Sequence, residues 1–461
     1  MVTRFVAVID LGKTNSKVAL VDTQTATEVE VLTQPSAVDL TSIYPSLDHQ
    51  AIKAFVIDSL TSLAAVHVID AITVTTHGAT AALIKDDGEL ALPVLDYEYQ
   101  DVNLLRSDYD EHRPRFSVTG SPALPGGLNI GAQMYWQTSN FPHQFANAQT
   151  MLTWPQYWVH WLTGERYNDV SSLGCHTDLY EPRTQCYSSL VGAMDWSALM
   201  PPVKNSGEFC GVLMPSLAKL LGLGKAIPVY TGIHDSNASL VPHLLTQEAP
   251  FSVVSTGTWF IVMAVGGEPL ELDESRDTLL NVNAKGGCVP SARFMGGRER
   301  DILTTASEAT DESLSELLSN HGDPSMLMPS MVPNTGPYPK AVSCWVGAHT
   351  EQGSAMRDSA IALYLALMTL ESMKLVGCAG PTFIEGPLAH DKQFAQMLCA
   401  VSARSVFISG AQTGTSVGAA MLINAPTKPP VYEAINLSSD RRDELIRYAK
   451  LWQAKLVDHA K

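Results

Sequence analysis

The chain has little with which to grip an anionic polymer or to cross a membrane. Thirty Lys and Arg stand against 47 Asp and Glu, a formal net charge of −17. The basic residues form no cluster of the kind that neutralises phosphates along a nucleic acid. No apolar run approaches membrane-spanning length, and the opening stretch MVTRFVAVID is a short apolar strand with no basic leader pattern. Seven cysteines, at 175, 186, 210, 288, 344, 378 and 399, are scattered and odd in number, without a C-x-x-C pair that would hold zinc or exchange disulfides. The expectation is a cytoplasmic protein in a reducing compartment, with no nucleic-acid or membrane partner.

Several catalytic signatures are missing as well. H-E-x-x-H does not occur, and neither the G-x-S-x-G elbow nor the dinucleotide fingerprint stands in a strand-turn-helix setting. Metalloprotease, serine hydrolase and dehydrogenase readings fall accordingly. The stretch GLGK at 222–225 is not a Walker loop, because Lys219 stands where the first glycine belongs and Ala226 where Ser or Thr does.

What remains is an α/β pattern long enough for more than one domain, with 461 residues of which 45% are hydrophobic. VAVIDLGKTNSKVALVD at 6–22 reads as two apolar strands around a polar, glycine-containing turn, and FSVVSTGTWFIVMAV at 251–265 repeats the design. Two hairpins opening two similar halves predict domains at 1–245 and 246–461, with a hinge near residue 245 flanked by Pro242 and Pro250. AMRDSAIALYLALMTLESMKLVG reads as a long buried helix ending at Gly377, and PTFIEG as the strand after it. The tail is a closing helix with Leu445, Tyr448 and Trp452 on one face. Trp154, Trp158 and Trp161 stand at helical spacing and are read as core.

Three places carry chemistry. The turn from Asp10 through Gly12, Lys13, Thr14 and Asn15 to Lys17 can aim N–H and O–H donors and two cations at phosphate oxygens. Asp10 at its strand end suits a water-mediated magnesium ion. Ser255-Thr256-Gly257-Thr258 offers a second donor-rich turn. In GIHDSNAS, Asp235 is either a helix cap or a working acid or base.

The order of these segments resembles the FGGY family of carbohydrate kinases, of the actin-like ATPase superfamily, from residue 6 to about 424. Asp10, Gly12, Thr14 and Asn15 resemble the family's phosphate loop. WVHWLTGERYND with SSLGCHTDLY, GIHDSNAS, STGTW, NVNAKGG, EGPLAHDKQFAQMLCA and TSVGAAML resemble its later motifs, several in the form found in L-fuculose and L-rhamnulose kinases. The resemblance implies two ribonuclease H-like domains with a cleft between them, ATP and Mg²⁺ as cofactors, and the following roles. Asp235 would be the general base; His234 and Gly78 would line the sugar pocket, while His77, outside the motif, is read either as a sugar contact or as a structural histidine at a strand end. Gly12, Lys13, Thr14, Asn15, Gly257 and Thr258 would hold phosphates, Gly386 would lie under the nucleotide, and Asp10 would serve the metal.

The pattern also has departures. Thr80 stands where L-rhamnulose and L-fuculose kinases have aspartate, Glu98 replaces their arginine beside Tyr97, and Gly297 replaces a sugar-contacting asparagine. Glu385 and Pro387 flank Gly386 in an adenosine segment that usually has more glycines. Arg298 and Glu299 are read either as facing the ligand or as pairing on a surface. The expected activity is ATP-dependent phosphorylation of a small ketose, a deoxy-ketohexose such as L-fuculose or L-rhamnulose ahead of a pentulose such as xylulose or ribulose. The other reading is a weakly catalytic sugar and nucleotide sensor on the same fold. The sequence leaves the oligomeric state open, a homodimer included.

Overall fold

The computed structural model describes residues 3–224, 226–304, 309–409, 414–426 and 431–459. It divides into two compact units, Met1–Thr246 with Leu280–Cys288 and Thr413–Pro429, and Gln247–Leu279 with Val289–Gln412 and Pro430–Lys461.

The first unit is organised by a seven-stranded sheet. Its strands are β1 (Phe5–Leu11), β2 (Asn15–Asp22), β3 (Thr27–Pro35), β4 (Ala71–Thr76), β5 (Phe209–Val212), β6 (Pro228–Tyr230) and β7 (Ile233–His234). The order is β5-β6-β4-β1-β2-β3, with β7 also paired to β4. β1 and β4 are aliphatic and β-branched and are buried along nearly their whole length, as inner strands covered on both faces must be. β1 pairs antiparallel to β2 and parallel to β4, and β7 pairs parallel to β4. One face packs on the helices His49–Val66 and Trp154–Thr163 through Ile9, Val56, Leu60, Val74 and Trp158. The tryptophan helix starts with Pro155 in its first turn and stops at Gly164, whose φ of 82° only a residue without Cβ adopts cheaply. Trp154 and Trp158 are buried core residues, as their spacing suggests.

The second unit repeats this plan. β8 (Phe251–Thr256), β9 (Phe260–Val265), β10 (Cys288–Phe294), β11 (Thr382–Glu385), β12 (Val406–Ser409) and β13 (Tyr432–Ala434) follow the path β10-β9-β8-β11-β12-β13. Again two antiparallel ladders meet a parallel pair at the hairpin's first strand. The helix Ala355–Leu375, capped by Ser354, is buried on most sides and ends just before Gly377 at φ 65°. The tail forms the helix Ser439–His459, with Leu445, Tyr448 and Trp452 buried and the Trp452 indole N–H donating to the Leu327 carbonyl at 2.7 Å. No helix among the described residues is long and apolar enough to cross a membrane.

Pro242, expected to flank a hinge, lies inside the helix Asp235–Thr246. Proline has no N–H, so the carbonyl four residues earlier, that of Ala238, loses its helical donor. At that carbonyl the helix Thr415–Met421 crosses, with Gly418 so close that an added Cβ would collide with the Ala238 oxygen. Gly418→Ala is therefore expected to lower the stability of the first unit by about 3 kcal/mol. Gly192→Ala, where a Cβ meets open space, should stay within roughly 0.5 kcal/mol of the parent. Urea unfolding of both variants is the check.

Candidate active site

The site grows from the carboxyl ends of three neighbouring parallel strands. Asp10 pairs with Thr75 and Leu11 with Thr76 across β1 and β4, and Ile233 pairs with Thr75 and His234 with Thr76 across β7 and β4. Such ends release the chain into turns along one edge, where open α/β sheets bind ligands. Asp10 closes β1 and Asp235 follows β7, so both carboxylates stand at that edge.

Asp235 is the first residue of its helix. It does not cap the later turns. Its Oδ1 accepts the N–H of the next residue, Ser236, at 2.6 Å and the Ser236 hydroxyl at 3.4 Å. His234 Nε2 lies 3.1 Å from the same oxygen. Oδ2 takes part in none of these bonds. Burial pushes the Asp235 carboxyl up from 3.8 to about 6; His77 opposes that shift, and the charge of Asp10 adds to it. Burial lowers His234 to about 4, so its ring is neutral near pH 7. An amide NH2 only donates, so with Asn237 Nδ2 against Nδ1 the neutral His234 ring carries its proton on Nε2. Nδ1 then accepts from Asn237 Nδ2 at 3.2 Å.

The histidine is in turn held from behind. Its backbone N–H donates to Ser171 Oγ at 3.1 Å, and Ser171 donates to Asp169 Oδ1 at 2.7 Å. Ser206 donates to the other Asp169 oxygen, and the Ser172 N–H to the first at 2.8 Å. Beside it, Gly78 leaves room for the imidazole: a Cβ there would stand 3.0 Å from His234 Nε2 and 3.4 Å from Cys175 Sγ. His77 donates from Nδ1 to the Gly78 carbonyl at 2.9 Å, and burial lowers its pKa. Gly78, His77, His234 and Asp235 therefore share one corner of the first unit.

Asp10 is 7% exposed and heavily engaged. Its Oδ2 accepts the hydroxyls of Thr415 and of Ser416, the latter at 2.8 Å, and faces Lys17 Nζ at 3.3 Å. The turn beyond it is tight, Gly12 N–H donating to the Asn15 carbonyl at 2.9 Å. Ser36 braces it, donating Oγ to the Gly12 carbonyl at 2.9 Å and its N–H to the Thr14 carbonyl at 2.9 Å. Thr14 and Asn15 are exposed at its tip. Lys13 is not a free cation there: its Nζ bonds Asp96, lies 3.3 Å from Glu98 Oε2, and sits 4.8 Å above the Tyr97 ring.

In the second unit, Gly257 and Thr258 are exposed at the β8–β9 turn. Thr256 Oγ1 fastens that turn to the end of β11, donating to the Glu385 carbonyl at 2.6 Å and accepting the Leu388 N–H at 3.0 Å. Gly386, at φ 86°, lies against Thr256, where a Cβ would come 2.7 Å from its carbonyl oxygen. Next to it opens a cavity of about 480 Å³ lined by Pro387, His390, Asp391, Arg300, Asp358 and Ile361. Glu299 turns inward, accepting from the Tyr364 hydroxyl at 2.8 Å and the Val332 N–H at 3.2 Å, while Arg298 is exposed.

Sequence reasoning did not assign Asp96, Asn237, Thr415, Ser416 or the Asp169 network. A signal existed for the last alone, in the D-x-S of NDVSS.

Residues 5–242 match the family model described as the FGGY family of carbohydrate kinases, N-terminal domain, and residues 248–430 that of the carbohydrate kinase FGGY, C-terminal domain. A carbohydrate kinase structure from Novosphingobium aromaticivorans is 34% identical with a TM-score of 0.92, over 99% of both chains. An L-fuculokinase of Salmonella typhi is 28% identical over 273 residues, 57% of each chain, so the match spans little more than half of that relative. A ligand-bound xylulose kinase structure from Lactobacillus acidophilus, 13% identical, has a TM-score of 0.78 over 98% of this chain and 97% of its own, which establishes the shared fold.

One consequence of the Asp235 environment needs no substrate to observe. Its folded pKa of about 6 exceeds the ordinary 3.8, so protonation stabilises the native state fully below about pH 4, and that contribution is gone above about pH 6. Near pH 7.5 the native protein carries the charge at a cost. Asp235→Asn keeps the shape without the charge and should be more stable than the parent by on the order of 2 kcal/mol at that pH, with the gain largely absent near pH 4. Thermal unfolding at the two pH values measures this; an equal shift at both would remove the charge as its cause.

Proposed function

The chain belongs to the FGGY family of carbohydrate kinases, and we propose that it transfers the γ-phosphate of ATP to a hydroxyl of a small ketose. The observation that carries the proposal is Asp235. Ser236 bonds one carboxylate oxygen, with His234 Nε2 3.1 Å from it, while the other takes no part in those bonds, and the pKa sits at about 6. Phosphoryl transfer asks little covalent work of protein groups; it needs alignment, charge neutralisation and one base aimed at the acceptor hydroxyl. A base with a pKa just below the operating pH is ionised and ready to take that proton.

The remaining roles follow from position. His234, His77 and Gly78 line the acceptor side, with the neutral His234 ring 3.1 Å from Asp235. Gly12, Thr14 and Asn15 offer backbone and side-chain donors to the phosphates, with residues 1–245 as the acceptor domain. Residues 246–461 take the nucleotide, with Gly257 and Thr258 in the β8–β9 turn and Gly386 beside the 480 Å³ cavity. Among the described residues no three His, Cys, Asp or Glu side chains cluster to hold a metal. A single strand-end carboxylate, Asp10, nevertheless fits Mg²⁺, which keeps waters and phosphate oxygens as its other ligands. Asp10 would hold the ion through water, and the ion would neutralise charge on the phosphate oxygens.

A deoxy-ketohexose such as L-fuculose or L-rhamnulose is the favoured acceptor, supported by the L-fuculokinase relative, with a pentulose next. The alternative, a weakly catalytic sensor, draws on Glu385 and Pro387 around the single Gly386. Against it stands the Gly386 seat on Thr256, which is intact.

ADP release measured with L-fuculose, L-rhamnulose, D-xylulose and D-ribulose tests the reading. Turnover is expected with at least one, with kcat/KM falling as pH drops through about 6. Asp235→Asn should lower kcat by roughly 10²–10⁴-fold and leave ATP affinity within about threefold. A variant with parental turnover would remove Asp235 from the base role, and a panel without turnover would favour the sensor.

A further inference from the structure

Lys13 stands in the phosphate turn, yet its ammonium faces the other way. It bonds the Asp96 carboxylate, lies 3.3 Å from Glu98 Oε2 and rests 4.8 Å above the Tyr97 ring. Asp96 is only 6% exposed. Its other hydrogen bond comes from the Glu98 N–H at 3.1 Å, and a single neutral donor does not compensate a buried charge. Lys13 is therefore the cation that pairs with the Asp96 carboxylate inside the unit.

The segment Lys13 holds runs straight to the acceptor corner. The Tyr97 ring meets the His77 ring edge-on at 5.5 Å, and His77 bonds the carbonyl of Gly78, whose Cβ side His234 occupies. Burial and the charges of Glu98, Asp96 and Asp235 push the Tyr97 phenol up to about 12. The rest of the segment is pinned at its backbone, Asp96 N–H to the Pro45 carbonyl at 3.0 Å and Gly127 N–H to the Tyr97 carbonyl at 2.8 Å. The phosphate turn, by contrast, is closed by Gly12, Asn15 and Ser36 without Lys13.

We infer that Lys13 is a positioning residue for the sugar acceptor rather than a phosphate ligand: it neutralises Asp96 and so fixes the segment 95–99, and with it Tyr97 and His77, against the acceptor. The inference rests on the kinase reading above. It gives the hairpin turn two outlets, Thr14 and Asn15 toward phosphate and Lys13 toward the acceptor wall.

The test uses the full chain as Lys13→Met, Lys13→Arg, Asp96→Asn and the double variant Lys13→Met/Asp96→Asn. Affinity for Mg²⁺ with the non-hydrolysable analogue AMP-PNP is read by calorimetry, and KM for whichever panel ketose turns over is read by ADP release. Lys13→Met should raise the ketose KM about tenfold or more while AMP-PNP affinity stays within about threefold. Lys13→Arg keeps both the ion pair and the ring contact and should remain close to the parent. The double variant, which leaves no orphaned carboxylate, should recover most of the lost KM. Hydrogen exchange gives a readout that needs no sugar: protection of residues 95–99 should fall in Lys13→Met and return in the double variant. If Lys13→Met and the double variant both weaken AMP-PNP about tenfold, with exchange at 95–99 unchanged, Lys13 grips phosphate and the inference is wrong. Absence of turnover with every ketose defeats the kinase reading alone, since the nucleotide and exchange measurements still decide the place of Lys13.

Discussion

A half-buried carboxylate at the end of a parallel strand, its side chain 30% exposed, is the constraint around which the first unit is arranged. Asp235 cannot lose its solvent without becoming a stronger base, and it cannot sit near Asp10 without feeling a second negative charge. The two carboxylates are treated differently. Asp10 receives two hydroxyl donors and the Lys17 ammonium. Asp235 receives the Ser236 N–H and hydroxyl on one oxygen, with a neutral imidazole 3.1 Å away. Keeping His234 uncharged matters here, because an imidazolium beside Asp235 would pull the carboxyl pKa down and cost the base its strength.

Such an arrangement needs a rigid frame, and much of it comes from backbone meeting backbone. The hydroxyls on Asp10 belong to the start of the helix Thr415–Met421, some 400 residues along the chain. That helix is seated by Gly418 on the one carbonyl of the helix Asp235–Thr246 that Pro242 has freed. The helix that begins with Asp235 and the helix that serves Asp10 are thus locked by a contact possible only with a glycine on one side and, four residues on, a proline on the other. Pro242, read from sequence as flanking a hinge near 245, also frees the carbonyl on which Gly418 sits.

Local pattern made much of this legible. The two hairpins, the long buried helix and the tryptophan helix each follow from apolar runs of the right period bounded by glycine or proline. The candidate residues Asp10, Asp235, His234 and Gly78 were visible as small, polar or charged side chains in apolar surroundings. Partners separated by long stretches of chain were not. Thr415 and Ser416 carry no mark of their contact with Asp10, and the oddity of an acidic Glu98 was apparent without any hint that Lys13, 85 positions earlier in the chain, would answer it. Asp169 lay between, because its D-x-S spacing marks a cap but not the histidine it supports through Ser171.

The second unit shows how a departure in sequence can be a packing requirement. Gly297 looked like the loss of a sugar-contacting side chain. It stands in the first turn of the helix Gly296–Leu303, so close to the β8–β9 turn that a Cβ would collide with the Gly257 carbonyl, and the Arg298 N–H donates to the Thr258 carbonyl at 3.3 Å. On its other side the same turn is tied to Gly386 through Thr256. A larger residue at 297 would therefore push on the exposed Gly257 and Thr258 before it reached any ligand. The glycine fixes the turn from one side as Thr256 does from the other.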